Sequence, residues 1–219
     1  MLKTYETLKA KQRSERDGYG ENLGLRVHRA LSWLNRAEME ESDPDSQFIF
    51  LWIAFNSAYA QEYHDPRSYT ERDAFGAFIA KLCELDKTNT LYNLVWSDFA
   101  SSIRVLLNNK FVFAGFWEFQ RGNKTADQWE LEFNAAKTNA SKALGQKDTS
   151  RVLSVVFSRL YTLRNQMLHG GATWNSSVNV DQKRDSVQFL GKFVPAVIGI
   201  MMDNAQELWG DPSYPVVND

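Results

Sequence analysis

An all-α fold, an antiparallel bundle of helices, follows from three features of this 219-residue sequence. Apolar residues recur at helical spacing from one end of the chain to the other, while the alternation typical of strands is weak throughout. The breaks fall at clusters of Gly, Pro, Asn and Asp. Aromatic residues make up 13% of the chain, with seven Trp and fourteen Phe, enough for one substantial core.

The first twenty residues are polar and charged and end in Asp17-Gly18-Tyr19-Gly20, which leaves a frayed arm or a short helix docked on a partner. Leu23, Val27, Ala30, Leu31 and Leu34 predict an amphipathic helix from Leu23 to Met39. Asp43-Pro44 restarts the chain with an N-cap and a Pro in the first turn. The helix that follows, to about Tyr63, is very apolar and must be central. His64-Asp65-Pro66 is a turn. Thr70 with Asp73 resembles a capping box and opens a helix carrying Phe75, Phe78, Ile79 and Leu82.

One helix is expected from about Asn89 to Leu107, broken by Asn108-Asn109-Lys110. Phe111 to Gln120 is short and dense in aromatics. Arg121-Gly122-Asn123-Lys124 is a polar turn, and Thr125 opens a helix ending near Gly145. Residues 148–169 form a strongly patterned helix, and a last one runs from about Asp181 to Leu208. The tail from Gly210 is irregular. No internal repeat, low-complexity tract or linker divides the chain, so it reads as one domain.

Composition excludes several function classes. A formal net charge of −2 argues against coating nucleic acid through bulk charge. One Cys, Cys83, forbids an internal disulfide and fits a reducing cytoplasm. With three His at scattered positions (His28, His64, His169), it offers no metal-ligand spacing, and no cofactor is expected. The N-terminus lacks the apolar segment of a signal peptide. The longest apolar run, Phe193 to Met202, is about half of what a bilayer requires and reads as a buried helix, so no membrane partner is expected.

The segment Arg164-Asn165-Gln166-Met167-Leu168-His169 carries the most chemistry. Arg is a permanent cation, and His exchanges a proton near neutral pH. With about 100° per helical residue and Leu160 as zero, Val152, Val156, Leu163 and Met167 cluster within about 80° of arc, an ordinary core stripe. Arg164 falls about 40° beyond Leu160 on the other side, and His169 about 140° further round. Phe157, Leu168, Tyr161 and Asn165 lie between them. This second sector mixes aromatic and polar residues, so the helix is expected to be covered on two sides, with a partner subunit the simplest second cover. Gly170-Gly171 is a helix stop, and His169 can equally be a cap at the negative end of the helix.

Arg164, Asn165 and His169 resemble the signature of the HEPN superfamily of helical domains: an Arg, often with a polar residue next, then His after four to six residues. The stretch Phe48-x-x-Leu51-Trp52-x-x-Phe55-Asn56-x-x-Tyr59 is similar to the second helix of some bacterial members. The resemblance implies a core of about 22–64 and 148–209, with additional helices inserted over about 65–147. It further implies a homodimer in which two motif helices build one composite site for metal-independent RNA cleavage. His169 would be general acid or base, Arg164 the phosphate cation, and Asn165 the group that orients them. Position 171 is Gly, where toxins of this type that are silenced by nucleotide transfer carry a Tyr.

Asn56, inside an apolar helix, is a candidate for orienting His169 or substrate, or for a structural hydrogen bond. Tyr161 is a candidate for stacking a base, or for packing at an interface. Arg104, Lys110, Arg121 and Lys124 can rim a phosphate surface or be solvated ends. Asp181, Lys183 and Arg184 read as the charged start of a surface helix. Glu38, Glu40, Glu41, Asp43 and Asp45 form an acidic turn open to a cation or a basic partner. The alternative to an enzyme is a non-catalytic nucleotide- or RNA-binding or protein-interaction module. A third reading is the subunit of a toxin–antitoxin or phage-defence pair, held by a partner protein.

Overall fold

A computed structural model describes residues 4–60, 71–171, 173–175, 180–212 and 214, with side chains from residue 75 onward in the second span. The turn expected at His64-Asp65-Pro66 and the cap expected from the Thr70 and Asp73 side chains lie outside the described residues. Among those described, every regular element is helical.

Helix α1 (Thr4–Glu15) lies on α2 (Glu21–Glu38) and on the last helix, α10 (Val180–Asp203). The Tyr5 amide donates to Glu38 at 2.9 Å, and Lys11 pairs with Asp203 at 2.8 Å. Tyr5 and Leu8 pack against the core, so the N-terminal segment docks on its own chain. Helix α3 (Pro44–Tyr59) starts as expected, with Asp43 accepting from the amides of Asp45 and Ser46. It is apolar all round because α2 and α10 flank it and its aromatic residues also reach the motif helix.

Arg26 on α2 is only 1% exposed. Its guanidinium donates to the carbonyl oxygens of Ala58, Ala60 and Asp211 at 2.9, 2.8 and 3.0 Å. It thereby satisfies carbonyls at the end of α3, which no further helical turn can reach, and anchors the tail to them.

Helix α4 (Glu71–Leu85) packs along α9 (Thr149–Leu168) and buries Phe75, Phe78, Ile79 and Leu82. Between Asn89 and Asn108 the expected single helix is interrupted. The short α5 (Thr90–Asn93) runs into a π turn over Leu94–Asp98, and α6 (Ala100–Asn108) follows. The Phe99 amide reaches Leu94 at 3.0 Å. The inserted register step buries Leu94, Val95 and Phe99 while letting the Trp96 indole donate to Thr149 at 2.9 Å.

Helices α7 (Ala114–Gln120) and α8 (Ala126–Gly145) form a hairpin beside α9. Thr125 and Gln128 make a reciprocal capping box at the start of α8. Gly115 allows the close approach of α7 to α8, since a Cβ there would lie 2.7 Å from the Phe113 ring and 2.9 Å from the Glu132 carboxylate. Phe116 and Trp129, with ring centroids 5.2 Å apart, centre a small cluster separate from the main core. The inserted segment is therefore of two kinds. Helix α4, the π turn, α6 and the C-terminal part of α8 (Ala140, Ala143) belong to the main core, and α7 with the N-terminal part of α8 forms a satellite.

Helix α10 ends at Asp203 rather than near Leu208. The Asn204 side chain donates back to Ile200 at 2.8 Å, and the chain turns to bury Trp209 against Phe78. Among the described residues, α10 is the one helix long and apolar enough to cross a membrane, and most of that stretch is packed inside the protein.

Lys183, expected on the surface, is 7% exposed and pairs with Asp45 at 2.6 Å. Most of the acidic turn before and within the start of α3 is likewise used internally. Glu38 binds Tyr5, Glu40 binds Arg36, Asp43 caps α3, and Asp45 holds Lys183 and the Asn175 amide.

Candidate functional site

The motif helix is built as its sequence pattern dictates. Asp148 caps it by accepting from the Arg151 amide at 2.9 Å. Val152, Val156, Leu160 and Leu163 are buried, and Met167 packs against the core. At the other end His169 is the C-cap, and Gly170 takes φ +70°. The Gly171 amide reaches the Gln166 carbonyl at 2.7 Å and the Gly170 amide reaches Met167 at 3.4 Å, the two closing bonds of a Schellman motif. A Cβ at position 171 would sit 3.1 Å from the Gln166 oxygen, so this tight closure leaves little room for a side chain there.

The second sector of α9 is covered by the chain itself at its N-terminal half. Phe157 is fully buried, with ring centroids 4.5 Å from Phe55 and 4.8 Å from Phe193. Tyr161 lies 6.2 Å from Trp52 and 5.9 Å from Phe75. The chain's own α3, α4 and α10 thus cover Phe157 fully, and α3 and α4 cover Tyr161 in part. Large exposed apolar side chains begin in the last turn, at Leu168, and continue beyond it at Trp174.

Tyr161, Asn165 and His169 come together in one cleft of about 370 Å³. The cleft runs between the end of α9 and α7, and Trp117, Glu118 and Arg121 form its opposite wall. His169 is exposed there, and no hydrogen bond holds its imidazole among the described residues. Arg164 is half-buried and does not line this cleft. Its guanidinium lies 5.7 Å over the Tyr161 ring and donates to the Asn165 amide oxygen at 2.9 Å. Asn56 does not line it either, although its Oδ1 is buried without a hydrogen-bond partner among the described residues.

Of the four cations expected to rim a phosphate surface, one reaches the cleft. Arg121 lines it and pairs with Glu118 at 2.6 Å. Hydrogen bonding from Asn123, together with Arg121, holds the Glu118 carboxyl below the usual carboxylate range. Lys124 pairs with Glu132, Lys110 sits over the Phe111 and Phe116 rings, and Arg104 lines a separate cleft with Lys137.

Three side chains fix the α7 wall, and two of them, Trp117 and Arg159, are not singled out by the sequence. The Trp117 indole and the Gln166 amide both donate to the Phe111 carbonyl, at 2.7 and 2.6 Å. Arg159, 3% exposed, places its guanidinium 4.6 Å from the Phe113 ring and 5.6 Å from Phe133. Its position after Leu153 and Val156 signals a core-facing place, but a buried Arg is too rare for pattern alone to reveal.

Among the described residues, no three His, Cys, Asp or Glu side chains converge as a metal site. What the cleft offers is an accessible imidazole, an amide, a carboxylate, a guanidinium and aromatic faces. Those groups can bind an anion next to a planar ring and move a proton beside it. No protein-family model, curated protein or solved structure matches the chain.

Proposed function

We propose that the chain is a metal-independent endoribonuclease acting as a homodimer. The observation that carries the reading is that His169, Asn165 and Tyr161 open onto one cleft while Arg164 braces Asn165 and Tyr161 from behind. An RNA 2′-hydroxyl attacks its own adjacent phosphorus. His169 takes the hydroxyl proton, the bond to the 5′ oxygen breaks, and that oxygen receives a proton from a second acid. The products are a 2′,3′-cyclic phosphate and a free 5′-hydroxyl. A second copy supplies the second imidazole, and the exposed Leu168 and Trp174 beside the motif give the two copies apolar surface to share. A protein that sediments as a monomer at micromolar concentration removes the two-copy part.

Purified protein incubated with total RNA in EDTA is expected to cleave it and to leave cyclic or 3′-phosphate ends. His169→Ala is expected to lower the rate by about 10²–10⁴-fold, the usual share of one acid–base group, without a change in melting temperature. Strict dependence on a divalent cation with 5′-phosphate products, or full cleavage by His169→Ala, contradicts the mechanism. The acidic net charge favours a second reading, a non-catalytic binding module that holds RNA or a partner protein and cleaves nothing. In a toxin–antitoxin or defence setting, expression of the wild type but not of His169→Ala would then arrest growth only if the first reading holds.

A further inference from the structure

We infer that the phosphate-binding cation of this cleft is Arg121, contributed by the end of α7, and that Arg164 of the motif is a positioning residue. The inference rests on the RNA reading above and names which side chain meets the strand. Arg164 faces inward rather than into the cleft: its guanidinium lies over Tyr161, its Nη1 is bonded to Asn165, and its Nε is buried without a hydrogen-bond partner among the described residues. Arg121 instead lines the same cleft as His169, and its side chain remains 65% exposed.

Among the described residues Arg121 pairs with Glu118 alone, at a partly solvated site. A single carboxylate in such a place is an exchangeable counter-ion. A phosphodiester offers two equatorial oxygens that a guanidinium fork meets in a bidentate way, so it can displace the carboxylate. The neighbouring Trp117 is half-buried, and its indole nitrogen is fixed to the Phe111 carbonyl, which leaves a ring held still at the cleft wall. Single-stranded nucleic acid is recognised by this combination of an aromatic face for a base beside a cation for the backbone. The same Phe111 carbonyl takes the Gln166 amide, so the α7 wall is tied to the helix that carries His169. The cleft volume of about 370 Å³ lies within the range of about 300–1,000 Å³ found for sites that enclose a small organic group.

The test uses a fluorescent oligoribonucleotide with methylated 2′-oxygens, which binds and cannot be cleaved, titrated by anisotropy over a range of KCl concentrations. Wild-type protein is expected to bind it in a salt-dependent way. Arg121→Ala is expected to weaken binding and to flatten the slope of log affinity against log salt by about 0.7, the share of one phosphate on a single strand. Arg121→Lys should keep the slope and lose part of the affinity. Glu118→Gln should tighten binding, because it removes the competing carboxylate. This second variant shifts affinity in the opposite direction, so a general loss of folding cannot imitate the pattern. Arg104→Ala, in the separate cleft, should bind as wild type does. Wild-type affinity and slope in Arg121→Ala, with both lost in Arg164→Ala, would return the cation role to the motif and overturn the inference while sparing the RNA reading. Absence of binding by the wild-type protein at low salt overturns both.

Discussion

The two walls of the cleft are held in different ways. The α9 wall is embedded in the main core, where Phe157 is surrounded by Trp52, Phe55 and Phe193 and is fully buried. The α7 wall stands on a satellite cluster whose centre, Phe116 and Trp129, retains 8% and 9% exposure. Its ties to α9 include the Gln166 bond to the Phe111 carbonyl and Arg159 wedged between Phe113 and Phe133. One wall carries His169 at the end of a helix embedded in the core. The other carries Arg121 at the end of an element with fewer buried residues, which is where local opening is expected to concentrate.

The largest expected effect tests that asymmetry. Phe157→Ala should cost about 3–5 kcal/mol, the usual range for deleting a buried Phe, measured by urea unfolding. Phe116→Ala should cost less, because the satellite can relax toward solvent, and it should speed amide exchange in α7 and α8 without affecting α9. Equal losses, or exchange that speeds uniformly over all three helices, would show a single cooperative unit.

This division also sorts what the sequence can disclose. The α9 wall depends on period and caps. Asp148, the stripe from Val152 to Leu163, and Gly170 all declare themselves locally, and the helix observed is the one expected. The α7 wall depends on tertiary packing. Arg121, Lys124, Lys110 and Arg104 look alike as solvated cations, and only the fold brings Arg121 to His169. The π turn at Leu94–Asp98 was hidden for the same reason, because the residues there have ordinary helical character and the interruption serves the burial of Phe99. The second α9 face is covered by the chain itself at Phe157 and in part at Tyr161, and apolar residues on a helix do not reveal whose side chains will cover them. Lys183 was misread because its partner, Asp45, lies far away in sequence.

A second test concerns the strap that joins the end of the motif helix to the start of α3. Trp174 donates to Asp43 at 3.1 Å and the Asn175 amide to Asp45 at 2.7 Å, while Asp45 also faces Lys183. Asp45→Asn removes the charge that balances a largely buried ammonium. Breaking a buried pair costs up to about 3–5 kcal/mol, and the residual exposure of 9% and 13% at this pair places the loss below that ceiling. Thermal unfolding should show it, and RNA binding at the α7 wall should be unchanged. A variant as stable as wild type would mean that the attraction within the pair does no more than offset the cost of burying it.

The smallest expected effect falls at the end of the α9 wall. Gly170 has φ +70°, and a Cβ added there would meet nothing within 4 Å. The cost of Gly170→Ala is therefore backbone strain alone, about 1–2 kcal/mol for a left-handed residue. Asn tolerates that conformation better, so Gly170→Asn should recover part of the loss. The consequence for cleavage should exceed the loss of stability, because Gly170 also closes the cap that aims His169 into the cleft. A protein weakened by so little remains folded at 25 °C, so a fall in rate reports geometry rather than unfolding. Rates that stay at the wild-type level in Gly170→Ala, while stability drops by the expected amount, would show that the imidazole needs no fixed cap and that the α7 wall alone sets the site.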